Sequence, residues 1–209
     1  MPLKIRSRII ASILLLFFKV NYSQSGNSCL TIDDTGIINK AFNSFEKDLF
    51  KYYNFGNDST KTYRTFLAEV ASLSLDLRKL PSDNSIQLTR KFKQIASDKK
   101  SLWIKLSEYE SQDIVKKSYT DPSIKKDEKE VLIFNYRGGF IQCLKNTSSS
   151  EDFKDIINNL ENDGNVSTSL ISQKIYYLTD KEFSTLQVKN FIAFDIYYSI
   201  LMVIEKAFK

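Results

Sequence analysis

From Phe191 to Ile204 the chain reads FIAFDIYYSILMVI, apolar on nearly every side at helical spacing and broken by Asp195. A helix with one apolar stripe can lie at a surface, but one that is apolar all round has to be enclosed. The enclosure is either lipid or the middle of a bundle. The run is short of the roughly 20 residues that a bilayer crossing needs, and an ionisable group at its centre is costly in hydrocarbon. The segment therefore predicts a central C-terminal helix. It also predicts a buried Asp195 in need of a hydrogen-bond partner.

The remaining periodicity supplies the surrounding helices. Ile38, Ala41, Phe42, Phe45, Leu49 and Tyr52 share one helical face, with Asp33, Asp34 or Thr35 as caps. After a loop around Gly56, a second helix is expected over Ser59 to Leu80, with Tyr63, Phe66, Leu67, Val70, Ala71 and Leu77 inward and Pro81 ending it. A third starts at Ser82 to Asn84 and carries Ile86, Phe92, Ile95 and Ala96. In SLWIKLSEYE, Leu102, Ile104 and Leu106 alternate as in a strand, but Trp103 breaks the alternation and the stretch is read as helix. Asp121-Pro122 marks another helix start, with the charged run KKDEKE in its exposed opening.

VLIFNYRGGFIQCL, residues 131–144, has two readings. Gly138-Gly139 can turn a hairpin, or can lie inside a helix under a close neighbour; the helical surroundings favour the second. Further on, Ser148 to Ser150 precede a helix with Glu151 and Asp152 in its first turn, Phe153, Ile156, Ile157 and Leu160 inward, and Gly164 at its end. Ser167 to Ser169 start a short helix with Leu170, Ile171, Ile175 and Leu178. Thr179-Asp180-Lys181-Glu182 has the capping-box pattern and is expected to open the last helix. The fold class that results is all-α, a single bundle of about six or seven helices around a long apolar C-terminal helix.

The N-terminus reads differently. Lys4, Arg6 and Arg8 precede the apolar run Ile9 to Phe18, and small polar residues around Ser23, Ser25 and Gly26 follow. A basic head, a short apolar middle and a small-residue exit describe a secretory signal peptide. Residues 1–25 are assigned to it and 26–209 to the helical domain, with no membrane span left after its removal. The product is expected in a periplasm or outside the cell, with envelope attachment as a variant. In that variant the chain is cut before Cys29, which carries a lipid; the apolar residue usual three places upstream of such a cysteine is missing. In an oxidising compartment Cys29 and Cys143, the chain's two cysteines, are expected to pair as a disulfide.

Charge and composition exclude several functions. Taking Lys4, Arg6, Arg8 and Lys19 out of 30 bases leaves 26 against 25 acids, so nucleic acid is not an expected partner. There is no histidine, which removes the commonest metal ligand and the usual general base near neutral pH. No metal or cofactor is expected. Asn159, Glu161 and Asp163 before Gly164 imitate a calcium loop, but Leu170 stands where a glutamate is required. Asp33-Asp34, Glu108 with Glu110, and Glu151-Asp152 are the acid clusters a carboxylate hydrolase would draw on.

What remains is aromatic: 11 Tyr and 15 Phe. Most belong in a core. Tyrosine with arginine also builds protein-binding surfaces, which makes Tyr52, Tyr53, Tyr176, Tyr177 and Arg137 the interface candidates. The expected function is an exported, non-catalytic protein presenting a helical surface to a protein partner, an immunity-type inhibitor of a toxin being one form. The alternatives are a small-ligand carrier with an aromatic-lined cavity and a carboxylate-based hydrolase.

Overall fold

The computed structural model describes residues 28–32, 35–94, 102–111, 131–164 and 166–208. The leader, the caps Asp33 and Asp34, Ile95 and Ala96, and the helix start at Asp121-Pro122 with KKDEKE lie outside these residues. After a 3-10 turn, Ser28–Thr31, come α1 (Ile37–Tyr53), α2 (Ser59–Ala71) and α3 (Asp83–Gln94). A strand β1 (Trp103–Lys105) runs into α4 (Leu106–Ser111); β2 (Leu132–Phe134) precedes α5 (Gly139–Thr147), α6 (Glu151–Asp163), α7 (Thr168–Tyr176) and α8 (Asp180–Phe183). The last helix, α9, is continuous over Leu186–Ala207. The chain is all-α, a bundle around α9, with one two-stranded antiparallel ladder among the described residues that pairs Trp103 with Phe134 and Lys105 with Leu132.

α9 is long and apolar enough to cross a membrane, yet two-thirds of its apolar window, 67%, is buried by the rest of the bundle. Its middle, Ile192–Tyr198, is a π-helix whose seven residues are all buried. That wide turn sends polar groups to three other parts of the chain. The Tyr197 hydroxyl donates to Asp48 Oδ2 on α1 (2.6 Å), and the Tyr198 hydroxyl to the Ala41 carbonyl (2.9 Å). Trp103 Nε1 donates to Ser199 Oγ (3.0 Å), and the Tyr136 hydroxyl to Asp195 Oδ1 (2.9 Å). Asp48 Oδ2 also accepts from the Ser85 hydroxyl (2.6 Å) and from both the amide and hydroxyl of Ser82 (3.1 Å each), which ties α3 to α1 and α9. Around these bonds Phe45, Phe66, Phe92, Phe140 and Phe194 meet tyrosine, tryptophan or other phenylalanine rings at centroid distances of 5.0–6.1 Å, within the range where edge-on and tilted pairs are favourable.

Several boundaries differ from the sequence expectations, each for a local reason. The second helix stops at Ala71, well before Pro81. The Ser72 hydroxyl turns back to the Ala68 carbonyl (2.8 Å) and meets Ser74 Oγ (2.9 Å), so side-chain bonds compete with the helix and end it. The start of α1 is Gly36 in a left-handed conformation, φ 66°, while Thr35 Oγ1 accepts from the Ile37 amide (3.3 Å). SLWIKLSEYE is a strand followed by a helix: Trp103 stands in the ladder opposite Phe134, and its buried ring packs on Phe92 and Phe134. In 131–144 each reading holds for half. VLIFNY carries a strand, but its partner is β1; Gly138-Gly139 start α5 instead of turning a hairpin. The capping box at Thr179–Glu182 is formed, but it opens the single turn α8, and Thr185 caps α9 separately. Leu170, expected inward, is exposed.

The disulfide between Cys29 and Cys143 joins the 3-10 turn to α5 across 114 positions. At the other side of the bundle Gly164 ends α6 with φ 65°. A Cβ there would lie 2.3 Å from Cε1 of Tyr109, a buried ring whose hydroxyl donates to the Glu161 carbonyl (2.8 Å). Gly164→Ala meets both an unfavourable backbone and a ring that cannot move without losing that bond. It is expected to destabilise the fold by about 2–3 kcal/mol. Urea denaturation of the pair of proteins measures it, and a loss under about 0.5 kcal/mol would show that the Tyr109 ring gives way freely.

Candidate surface between α2 and α7

α2 begins at Asp58, whose carboxylate accepts from the Lys61 amide (2.9 Å), and buries Tyr63, Phe66, Leu67 and Val70. α7 begins at Ser167 and buries Ile171 and Ile175. The two run antiparallel. Ser169 at the start of α7 donates to the carbonyl of Ala71 at the end of α2 (2.8 Å), and Arg64 reaches the far end of α7. Along this pair lie two grooves of different character.

The first, of about 610 Å³, is open and lined by Asp58, Lys61, Arg64, Thr65, Tyr176 and Asp180 among others. Arg64 dominates it but is committed inward. It donates to the carbonyls of Tyr176 and Leu178 (the latter at 2.7 Å) and to Asp180 Oδ1 (2.9 Å). Its guanidinium also lies 4.4 Å from the Phe183 ring centroid. Arginine here satisfies the carbonyls left over at the end of α7. Lys61 sits 4.4 Å over the Phe55 ring, which continues the groove towards the α1–α2 turn.

The second groove, about 170 Å³, is apolar: Val70, Leu73, Leu75, Leu77 and Ile200 line it with Thr168 and Ser169. Leu73 is 84% exposed and has φ 58°. A bulky side chain in the left-handed region is strained, and here the strain projects an apolar side chain into solvent. Val203, one helical turn beyond Ile200 on α9, is 80% exposed. Leu73 and Val203 are thus two large apolar side chains held in solvent, Leu73 at a backbone cost.

The sequence candidates distribute unevenly. Tyr176 lines the first groove and Tyr177 beside it is 75% exposed. Tyr52 and Tyr53 are half-buried at the end of α1, and the Tyr53 hydroxyl donates to Glu69 Oε2 on α2 (2.7 Å). Arg137 is elsewhere. Its guanidinium lies 4.1 Å over Tyr109 and donates to the Tyr109 and Glu161 carbonyls (3.1 Å each), locking the β2–α5 turn onto α6. Leu77, expected inward, lines the second groove, whereas helical spacing does not single out Leu73 and Leu75 in SLSLDL, residues 72–77. Its two-residue alternation was the available signal.

Asp195 is buried as expected, 2% exposed. Oδ1 takes the Tyr136 hydroxyl, while Oδ2 has no hydrogen-bond partner. Burial pushes the carboxyl up to about 7, and the Tyr136 bond pulls the other way without offsetting it. The Tyr136 phenol is raised too, first by burial and then by the Asp195 charge. Of the acids considered for hydrolysis, Glu108, Glu110, Glu151 and Asp152 are exposed on α4 and α6, and Asp33 and Asp34 lie outside the described residues. Residues 159–163 are helical, with Gly164 as their C-cap, so they do not form a calcium loop. Among the described residues no three His, Cys, Asp or Glu side chains gather as a metal site. No family model, no curated protein and no solved structure matches this chain.

Proposed function

We propose that this protein is an exported, non-catalytic binding protein of a periplasm or cell exterior, and that it engages a protein partner through the α2–α7 face. Inhibition of a toxin in the manner of an immunity protein is one form this takes. The observation that carries the reading is Leu73: strained, exposed and beside an apolar groove. An aromatic and charged groove continues from it along the same helix pair, giving the apolar centre and polar rim of a protein interface. The disulfide supports an oxidising compartment. With its sulfur bonded to Cys143, Cys29 has no thiol for lipid attachment, which favours the unanchored form. A carrier is less well supported, since phenylalanine and tyrosine rings pack the bundle interior around α9.

A photo-crosslinking residue placed at position 73 tests the proposal against a control at the exposed Lys181, using native envelope extract. One stoichiometric protein crosslinked at 73 and not at 181 is the expected result. Leu73→Ser with Val203→Ser should weaken that partner about tenfold or more while leaving the melting temperature within about 2 °C, because both side chains are already in water. Labelling at both positions alike, or none at 73, sinks the proposal.

A further inference from the structure

A second surface lies on α1 and α3 and has a different chemistry. At about 100° per residue, Lys40, Lys47 and Lys51 fall in one line on the exposed side of α1, spanning about 16 Å. The other exposed residues of that side, Asn39 and Asn43, are neutral. The remaining acids of α1 turn away: Asp48 is buried in its bonds to Ser82, Ser85 and Tyr197, and Glu46 accepts from the Tyr63 hydroxyl (2.8 Å). Across from Lys40 on α3 is Lys91. A groove of about 400 Å³ is lined by these two lysines with Thr35, Ile37, Leu88 and Gln94. Arg90 and Lys93, outside the lining of that groove, both hold the carboxylate of Glu205 (3.4 and 2.7 Å).

The mature chain is close to neutral overall, so this concentration is a property of the arrangement and not of the composition. The ammonium groups of Lys40, Lys47, Lys51 and Lys91 enter no ion pair among the described residues. We infer that the α1–α3 face docks an acidic amphipathic helix of a protein partner, with an apolar side chain of that helix in the groove over Ile37 and Leu88 and its carboxylates along Lys40, Lys47 and Lys51.

Two features select a helix over other polyanions. The charges form a line beside one groove lined by Ile37 and Leu88, and carboxylates at i, i+7 and i+11 of a second helix repeat the spacing of Lys40, Lys47 and Lys51. A lipid surface would require large apolar side chains projecting beside the bases. Among the described residues the exposed large apolar side chains are Ile32, Leu73, Val131, Leu170, Tyr177 and Val203, none of them on α1 or α3. This inference does not rest on the α2–α7 face, and the two fail separately.

The test titrates the oxidised protein, residues 26–209, with three probes: a 15-residue helical peptide with glutamates on one face and leucines on the other, vesicles with one-third phosphatidylglycerol, and a short duplex DNA. The expected result is peptide binding at 50 mM salt with amide shifts confined to 37–51 and 88–94. It should weaken at least tenfold in Lys40→Glu with Lys47→Glu and Lys91→Glu, and be unchanged by Leu73→Ser. All three lysines are exposed; equal melting temperatures confirm that the variant is folded, and Lys→Gln at the same positions serves if it is not. Absence of peptide binding at 1 mM, binding unaffected by either set of changes, or tighter binding to vesicles or DNA overturns the inference.

Discussion

Replacing Asp195 by asparagine is expected to remove most of a loss of stability that the native protein suffers between about pH 4 and pH 7. The carboxyl is fully buried, has one hydrogen-bond donor and leaves Oδ2 unpartnered. In the unfolded chain it ionises near 3.8; in the fold it ionises near 7. The folded state therefore holds a proton that the unfolded state releases. The corresponding stability is fully present below about pH 4, declines as pH rises, and is gone once the pH passes the folded value. A gap of about three units corresponds to about 4 kcal/mol. The amide introduced by Asp195→Asn cannot ionise and retains an acceptor for Tyr136, so the stability of that variant should change less over this range. Carboxylates such as Glu205, held low first by its Lys93 hydrogen bond, contribute in the opposite sense and act equally in both proteins. The comparison is urea denaturation at pH 4, 5.5, 7 and 8.5. Parallel pH profiles would mean that water or a rearranged side chain already satisfies Oδ2.

Reduction of the disulfide is expected to have an effect of similar size. The bond closes a loop of 114 positions, for which the loop-entropy relation gives about 5 kcal/mol. Its local setting argues that little of this is offset. Cys29 and Leu30 are buried against the bundle, and the 3-10 turn carrying them packs on α5 and α1. Without the bond the turn is held by non-covalent packing on α5 and α1 alone. Cys29→Ser with Cys143→Ser should lower the melting temperature by about 10 °C or more, and the wild-type protein in reductant should match the variant. A shift below about 2 °C would show that the reduced chain keeps the turn on α5 by packing alone.

The parts of the fold that were legible in the sequence are those decided by one helix at a time. Phe45, Phe66, Phe153 and Phe191 could be placed inward from spacing, and Ser150, Ser167 and Thr179 as caps from residue type, because both signals are local. α9 was legible for the same reason, its apolar circumference leaving no surface position. The ladder was not. β1 and β2 are three residues each and acquire meaning only from each other, and Trp103 interrupts a strand pattern until Phe92 and Phe134 are seen to enclose it. The candidate surfaces were legible only in part. Tyr176 and Tyr177 were within reach as an aromatic pair. Leu73 was hidden because its conformation depends on where α2 ends, and that is decided by the Ser72 hydroxyl. The groove beside the lysines of α1 exists only where α3 packs against that helix, which no single helix can show.

The two sulfurs also constrain how the molecule comes to be made. Cys29 leaves the ribosome long before Cys143, and α5 must be synthesised before the bond can close. During that interval the first thiol has no partner in its own chain. Once the second arrives, two cysteines permit a single intramolecular pairing, so an oxidant suffices and no isomerase is needed to sort alternatives. Among copies of this chain, mispairing then takes one form, a crosslink between two chains, and its frequency should rise with the concentration of newly made protein.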